Sequence, residues 1–377
     1  MSVEVREVSC KRDLQHFIYL PEKIHQNHQN WVHPLYMDEW PFFNKRKNKS
    51  FSLCDTIMAL AWKDKQPVGR IMGIINEEYN EIHNEKNARF CFLDCYEDIT
   101  IAQSLVIFIE EWAGKKGMVK LVGPLAFSDK DPQGVLTAGF DEPVLIAMNY
   151  NYPWIQDYLA QLGFMKEVDL VSYKVNIPDT VPEYIQKVYN RVITSNGYIL
   201  HEFTSRKSLK PWIVPIFRLI NETYNHIYGF IPMTEQEMHE MASRYLPVLN
   251  PRFIKVISNP ENEVFAFVIS MPELSGGIRK AKGRIMPFGW YHILAESKKT
   301  RLLTMLLGAI KESQRGKGLD SILGMKILES AHQTGMKVMD SHLILEYNTR
   351  MRAEYERIGG TINRRFRVFG KVLRGFN

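Results

Sequence analysis

The sequence predicts a mixed α/β protein in which one architecture is used twice. Its 377 residues are enough for two domains at roughly 100 to 200 residues each, and a composition of 45% hydrophobic and 24% charged residues is typical of a globular chain. Strand and helix patterns alternate in the same order on both sides of residues 177–182, where two prolines indicate a linker. We therefore expect domains at 1–176 and 187–377, joined by a linker at 177–186.

Strands and helices are expected to alternate through the first half. Two β-type runs are joined by KDKQP, which is typical of a hairpin turn, and Ile101, Leu105 and Trp112 recur at helical spacing. In chain order we expect a strand at 3–8, a helix at 11–25, strands at 56–62, 68–76 and 88–94, a helix at 99–116, a strand at 119–122, a glycine- and proline-rich loop at 123–143, a short helix ending at Gly163 and a strand at 168–175.

The second half repeats this order. The sequence NPEN predicts the turn of a second hairpin, and the segment 277–296 is expected to be an inserted helix or loop. In chain order we expect a strand at 198–203, helices at 212–227 and 234–245, strands at 253–258, 264–271 and 302–310, a helix at 319–335, a strand at 338–345, a helix at 349–358 and a strand at 364–372.

Charge is distributed unevenly between the halves. The whole chain carries a net charge of +6, but residues 1–180 hold 19 Lys and Arg against 25 Asp and Glu, whereas the remainder holds 29 against 17. The halves therefore differ as −6 and +12. A basic half predicts an anionic ligand, such as a phosphorylated cofactor, an acidic substrate or nucleic acid.

The cysteines and the N-terminus indicate the compartment. The four cysteines lie within the first 100 residues without C-x-x-C spacing, so we expect small buried thiols in a reducing compartment and no metal site. No stretch reaches the roughly 18 to 20 apolar residues that span a bilayer, and the first residues lack a signal-peptide pattern. We therefore expect a cytoplasmic protein with no membrane partner.

A glycine turn in the second half has the features of an anion site. The sequence Arg315-Gly316-Lys317-Gly318-Leu319 lies between a predicted strand and a predicted helix. Glycines let successive backbone N–H groups point outward, and the first helical turn adds unpaired donors and the positive end of its dipole. Asp320, on the same turn, would either cap the helix or repel a phosphate.

A second motif follows the strand predicted at 338–345. It starts at Asn348 and runs through a helix to Tyr355 and the pair Gly359-Gly360. A phenol can act as a proton donor. The alternatives are that Tyr355 packs in the core beside Ile358 and that Asn348 only caps the helix.

The element order and these two motifs resemble the GNAT superfamily of acyl-CoA N-acyltransferases. The resemblance implies two tandem acyltransferase-like domains that use acetyl-CoA or another acyl-CoA as cosubstrate and a small-molecule or peptide amine as acceptor. It places the pyrophosphate at Arg315, Gly316, Lys317, Gly318 and Leu319, the thioester oxygen at a backbone N–H near Leu307 or Gly308, and the catalytic groups at Tyr355 and Asn348. Glu346 is the best-placed carboxylate for a general base, with His292 and Glu296 as further candidates.

The first half lacks these residues. Its corresponding segment, Cys91 to Glu97, reads CFLDCYE, which has no glycine and three acidic residues, and Tyr158 lies one residue too early for the tyrosine position. We therefore expect this copy to be degenerate, structural or substrate-binding. Its loop from Gly123 to Gly134 is expected to form either a binding rim or an ordered turn.

Two other functions remain open at this stage. The chain could be a non-catalytic acyltransferase fold that binds a small anion or a protein, which Asp320 favours. It could also resemble the aminoacyl-tRNA-dependent peptide-bridge transferases, with the basic half holding tRNA. The basic stretch 350–374 alternates as a half-buried strand would and carries no nucleic-acid-binding motif, so we do not expect nucleic acid as a partner.

Overall fold

The computed structural model describes residues 2–181, 183–195, 197–246 and 249–373; Pro182 of the expected linker and Arg374 of the basic stretch lie outside these ranges. The strands are β1 Glu4–Glu7, β2 Cys54–Lys63, β3 Gln66–Asn76, β4 Asn87–Cys95, β5 Lys120–Gly123, β6 Val135–Ala138, β7 Met165–Asn176, β8 Ile199–Glu202, β9 Ile254–Ser258, β10 Val264–Pro272, β11 Leu302–Ile310, β12 Val338–Ser341, β13 Ile344–Leu345 and β14 Thr361–Val372.

The helices lie between these strands and include five that the sequence did not predict, at 36–42, 50–53, 77–83, 183–195 and 206–209; the fourth begins inside the expected linker. They are α1 Lys11–Ile24, α2 Tyr36–Phe42, α3 Ser50–Leu53, α4 Glu77–His83, α5 Ile99–Lys115, α6 Trp154–Gln161, α7 Glu183–Ser195, α8 Arg206–Leu209, α9 Ile213–Thr223, α10 Glu235–Tyr245, α11 Ser275–Lys280, α12 Gly289–Lys299, α13 Leu319–Gln333 and α14 Thr349–Arg357. The mixed α/β fold class is confirmed.

All strands join one sheet, and the two halves exchange their last strands within it. The order is β1-β2-β3-β4-β5-β14-β7-β12-β11-β10-β9-β8, with β13 beside β7 and β6 beside β14. The final strand of the second half therefore lies against β5 of the first, and β7 of the first half lies against β12 of the second. Each half completes its sheet with a strand from the other.

A buried ion pair crosses this exchange. Arg364 on β14 donates to the Asp340 carboxylate on β12 at 2.8 Å, across the intervening strand β7. Both side chains are almost completely buried, and Arg364 also donates to the Pro143 carbonyl at 2.7 Å. The pair therefore links three strands and the loop before α6.

Each half contains one parallel strand pair that opens into a gap. In the first half, β4 pairs with β5 only from Asn87 to Arg89, and in the second half β11 pairs with β12 only from Leu302 to Met305. A β-bulge follows on the longer strand in each case, at Phe92 and at Leu306. A bulge bends its strand, so the two partners diverge from that point.

The segment 277–296, for which the sequence predicts an inserted helix or a loop, lies in a hairpin of two helices. Helices α11 and α12 pack tightly because Gly277 lets the helices meet: a Cβ there would lie 2.7 Å from the Ile293 Cα atom. Beneath the hairpin, Ile278 and Ile293 pack with Leu306 of the β11 bulge. The same cluster contains Val32 and Leu35 from the first half, so both halves line this region.

Candidate functional site

The gap of the second half begins where β12 ends. The His342 amide donates to the Met305 carbonyl at 2.9 Å, and beyond that bond β11 pairs only with β10. Leu307 is 38% exposed, whereas its neighbour Ala309 is buried. The edge of β11, where we expect the thioester to bind, is therefore exposed at Leu307.

Two tyrosines reach this gap from different helices. The Tyr224 hydroxyl, at the end of α9, donates to the Gly308 carbonyl at 3.0 Å. Tyr355, on α14, stacks on Tyr173 with 5.5 Å between ring centroids. In the described part of the chain, the Tyr355 hydroxyl has no hydrogen-bond partner. Burial, and then the nearby Asp340 carboxylate, raise the pKa of Tyr355, so the phenol stays protonated at neutral pH.

The glycine turn precedes α13 directly. Gly316 and Gly318 have φ values of 76° and 84°, and Gly318 is the N-cap, which supplies no side-chain acceptor to the helix. Within the described ranges, the amides from Gly316 to Ser321 have no protein acceptor. A Cβ at Gly316 would meet no atom within 4 Å, whereas one at Gly318 would lie 2.7 Å from the Val188 Cγ1 atom, so α7 packs against the turn at Gly318 and leaves the space beside Gly316 open.

The Asp320 carboxylate lies close to a cation as well as to the turn. Its carboxylate lies 3.8 Å from the Arg357 guanidinium at the end of α14. Arg357 also pairs with Glu354, so it offsets only part of the repulsion that the sequence predicts between Asp320 and a phosphate. Two further cations flank the turn: Lys317 donates to Gln314 at 2.9 Å, and Arg315 lies near the Ile310 carbonyl at 3.4 Å.

The corresponding gap in the first half is filled by its own chain. The Leu125 amide donates to the Phe90 carbonyl at 2.9 Å, and Ala126 and Phe127 are buried in the space beyond it. The buried Arg89 guanidinium fixes this loop by donating to the Ala126 and Phe127 carbonyls at 3.1 and 2.9 Å. Residues 125–127 of the loop at 123–134 therefore fill this gap as an ordered segment, and they do not form an open binding rim.

The helix after the first-half gap also has no free N-terminus. Asp98 caps α5, and its carboxylate accepts from the Thr100 amide at 3.0 Å. A carboxylate in this position occupies the donors that a phosphate would need. The two halves therefore differ at both features where the resemblance places an acyl-CoA, the gap and the helix terminus.

Other residues named from the sequence have structural partners. The Glu346 carboxylate pairs with Lys166, and Glu296 pairs with Lys280 at 3.0 Å. Asn348 caps α14 by accepting from the Met351 amide at 3.3 Å, as the alternative interpretation of that residue expects. His292 is exposed on α12, away from the strands that form the gap.

Sequence analysis missed a cluster of buried polar groups at the closed end of the gap. Asp340 pairs in register with Thr304, whose hydroxyl donates to the buried Glu273 carboxylate. One Asp340 oxygen has no partner in the described part of the chain, and burial raises the pKa of this carboxyl despite Arg364. The signal that could have revealed it is a run of polar residues, Asp340-Ser341-His342, inside an apolar strand.

His342, the last residue of this polar run, has a shifted pKa. Burial lowers its pKa to about 4, so the imidazole is neutral at pH 7. Because its amide makes the last bond between the diverging strands, its backbone lies at the apex of the gap, and its ring hydrogen-bonds to the backbone of Ile146. A neutral imidazole there can accept a proton.

The lowered pKa predicts a pH-dependent stability. Unfolded His342 binds a proton below about pH 6.5, whereas the folded form does so only near pH 4, so lowering the pH through this window favours unfolding. We expect the free energy of unfolding of the wild type to fall more between pH 7 and pH 5 than that of His342→Gln. Urea unfolding at both pH values measures the difference, and equal losses in the two proteins would contradict the assignment.

These features are those of the acyl-CoA N-acyltransferase (GNAT) fold, in two tandem copies. No family model matches the chain. A tandem GNAT protein from the clavulanic acid biosynthesis pathway covers the whole chain with a TM-score of 0.58 at 12% identity, and each chain is covered completely. A GCN5-related N-acetyltransferase from Sphaerobacter thermophilus gives a TM-score of 0.53 at 10% identity, covering 99% of this chain and 96% of the other.

Two curated proteins are similar along nearly their whole length. A bacterial ceramide synthase from Caulobacter vibrioides is 25% identical over 378 residues, which cover 98% of each chain. Protein YghO from Escherichia coli is 26% identical over 381 residues, which cover 98% of this chain and 95% of the other. The predicted fold family is thus confirmed by the solved structures.

Proposed function

We propose that the protein is an N-acyltransferase that moves an acyl group from acyl-coenzyme A to a primary amine, with its single site in the second half. One contrast carries the proposal: in the described part of the chain no backbone segment pairs into the β11–β12 gap and α13 has no side-chain cap, whereas the β4–β5 gap is filled and α5 is capped. In the proposed complex the diphosphate lies on the amides after Arg315 and the thioester lies beside Leu307 and Gly308.

The chemical step needs one proton donor and one proton acceptor. The amine nitrogen attacks the thioester carbon, a C–N bond forms, and the C–S bond breaks to release the thiolate of coenzyme A. Tyr355 supplies the proton that the thiolate takes up, since its phenol is protonated and has no other partner in the described part of the chain. We assign the proton that the nitrogen loses to His342, which is neutral at the apex of the gap.

The acceptor in this proposal is a long-chain amine. A ceramide is the amide of a long-chain amino alcohol, and the ceramide synthase relative matches this chain from end to end. The wall beside Leu306 is apolar, being formed by Ile278, Ile293 and Val32 among others. An apolar wall of this kind favours an aliphatic chain over a polar acceptor.

The diphosphate site is tested by a pair of variants at Gly316. The position has space for a side chain and a positive φ that Asn and Asp both tolerate, so Gly316→Asn and Gly316→Asp differ in charge alone. We expect Asp to weaken acetyl-CoA binding by at least about tenfold relative to Asn, because a carboxylate would face the diphosphate at a helix N-terminus. Calorimetric titration measures both affinities. Equal affinities, or no binding to the wild type at millimolar acetyl-CoA, would contradict the site.

A further inference from the structure

The tip of the helical hairpin exposes an unusual amount of apolar surface. Met286 and Phe288 are 75% and 74% exposed, and Trp290, Tyr291 and Leu294 on the outer side of α12 are 50%, 61% and 48% exposed. These five large side chains lie within nine consecutive residues. Exposed apolar residues that occur singly need no explanation, but a contiguous cluster indicates a surface that binds something.

Basic residues flank this tip on both sides. The segment from Arg279 to Arg301 holds seven Lys and Arg and only one acidic residue, Glu296, for a net charge of +6. Lys298 and Lys299 follow directly on the exposed side of α12 and form no ion pair in the described part of the chain. The segment therefore combines an apolar, aromatic tip with a positively charged border.

The loop that joins α11 to α12 is fixed to the first half at its start. Arg284 donates to both carboxylate oxygens of Glu22 at 2.9 Å, and the Gly283 carbonyl accepts from the Tyr36 amide at 3.1 Å. Gly283 has a φ of 68°, and a Cβ there would lie 2.1 Å from the Pro34 carbonyl oxygen. The start of the loop is therefore fixed to the first half, while Met286 and Phe288, further along the same loop, are left exposed by the described part of the chain.

We propose that this hairpin docks the protein on the surface of a membrane that contains anionic lipids. Trp and Tyr favour the boundary between headgroups and acyl chains, Phe, Met and Leu enter the apolar region, and Lys and Arg bind acidic headgroups. A second copy of the hairpin is a poor occupant, since two segments of charge +6 repel each other.

Docking of this kind is peripheral. None of the described helices has the length and apolarity that would let it cross a bilayer. The expectation of no membrane partner was based on spanning segments alone, and such segments do not decide whether a short amphipathic helix lies in the interface.

The position of the hairpin also connects the bilayer to the gap. Its inner residues, Ile278 and Ile293, belong to the cluster that contains Leu306, and Leu306 is the bulge residue at the point where the gap begins. This part of the inference rests on the proposed function. A long-chain amine or acyl chain could pass from the membrane along this apolar path to the reacting atoms without crossing water.

Vesicle sedimentation tests the docking directly. We expect the wild type to sediment with phosphatidylcholine vesicles that contain phosphatidylglycerol, and to do so less at high salt. Phe288→Ser combined with Trp290→Ser should lower the bound fraction at limiting lipid by at least about tenfold, and Lys298→Glu combined with Lys299→Glu by a similar factor. All four side chains are exposed, so folding is not at risk.

Matched controls show whether binding depends on this surface, or whether any exposed apolar residue or any equal change in net charge has the same effect. Ile82→Ser removes a residue that is 60% exposed on α4, and Lys45→Glu with Lys47→Glu changes the net charge equally; both should bind vesicles as the wild type does. Absence of wild-type binding, or equal losses in the controls, would overturn the inference. A dimer in sedimentation velocity that the Ser variants abolish would overturn it too, because the face would then join two copies.

The two proposals fail in different ways. If acetyl-CoA binds but vesicles do not, only the docking is wrong. If vesicles bind but no acyl-CoA does, the hairpin is a membrane element on a protein of some other function.

Discussion

Replacing Tyr355 by Phe is expected to lower kcat by about 10²- to 10⁴-fold, the usual contribution of a positioned general acid. The ring remains, so its stacking on Tyr173 and its packing against Ile344 are preserved. Only the hydroxyl is lost, and in the described part of the chain that hydroxyl binds no other group. The affinity for acyl-CoA should therefore stay within about twofold, because only the transition state requires the proton.

Tyr173→Phe is the matched control. It removes a phenol from the same stack, but that hydroxyl donates to Glu356 and accepts from Arg352 instead of facing the gap. Its kcat should stay close to that of the wild type. If Tyr355→Phe loses stability and its turnover per folded molecule is unchanged, Tyr355 is a packing residue and the proposed proton donor is wrong.

Breaking the Asp340–Arg364 pair is expected to give the largest loss of stability. Arg364→Met leaves the Asp340 carboxylate buried without its cation, and removing one partner of a buried pair costs about 3–5 kcal/mol in the free energy of unfolding. The surface pair between Lys49 and Glu240 provides a comparison, since both side chains are about half exposed. Lys49→Met should cost no more than about 1 kcal/mol.

A double-mutant cycle shows whether the pair acts as a unit. Arg364→Met and Asp340→Leu should each be severe, while the double variant should recover much of the loss because no unpaired charge remains. Urea unfolding followed by far-UV circular dichroism measures all four proteins. Additive losses would show that the two residues are independent, and that this pair does not link β12 to β14.

The strand exchange could not have been predicted from the sequence. Strands β7 and β14 both alternate as half-buried strands do, and alternation sets which face a residue lies on but not which neighbour the strand pairs with. Much of the order of elements within each half was predictable because it depends on local periodicity and turn residues, although helices such as α4 and α7 were missed. The contact between Arg364 and Asp340 depends on the exchange, so the sequence contained no local signal for it.

In the candidate site as well, local patterns were predictable and contacts between distant parts of the chain were not. The glycine turn before α13 and the helix that carries Tyr355 are local patterns and lie where the sequence places them. The charge on Asp320 was expected to oppose a phosphate because its partner, Arg357, is distant in the chain and approaches only when α14 packs. His342 and Asp340 were not predicted as site residues because the strand that contains them was recognised by its apolar residues.

A crystal structure with coenzyme A tests the central claim most directly, namely that only the second half holds an open acyl-CoA site. We predict one molecule per chain, with the diphosphate on the amides of Gly316 to Leu319 and the pantetheine arm between β11 and β12. Density at the capped turn near Asp98, or between β4 and β5, would contradict the account, as would an empty β11–β12 gap at saturating ligand.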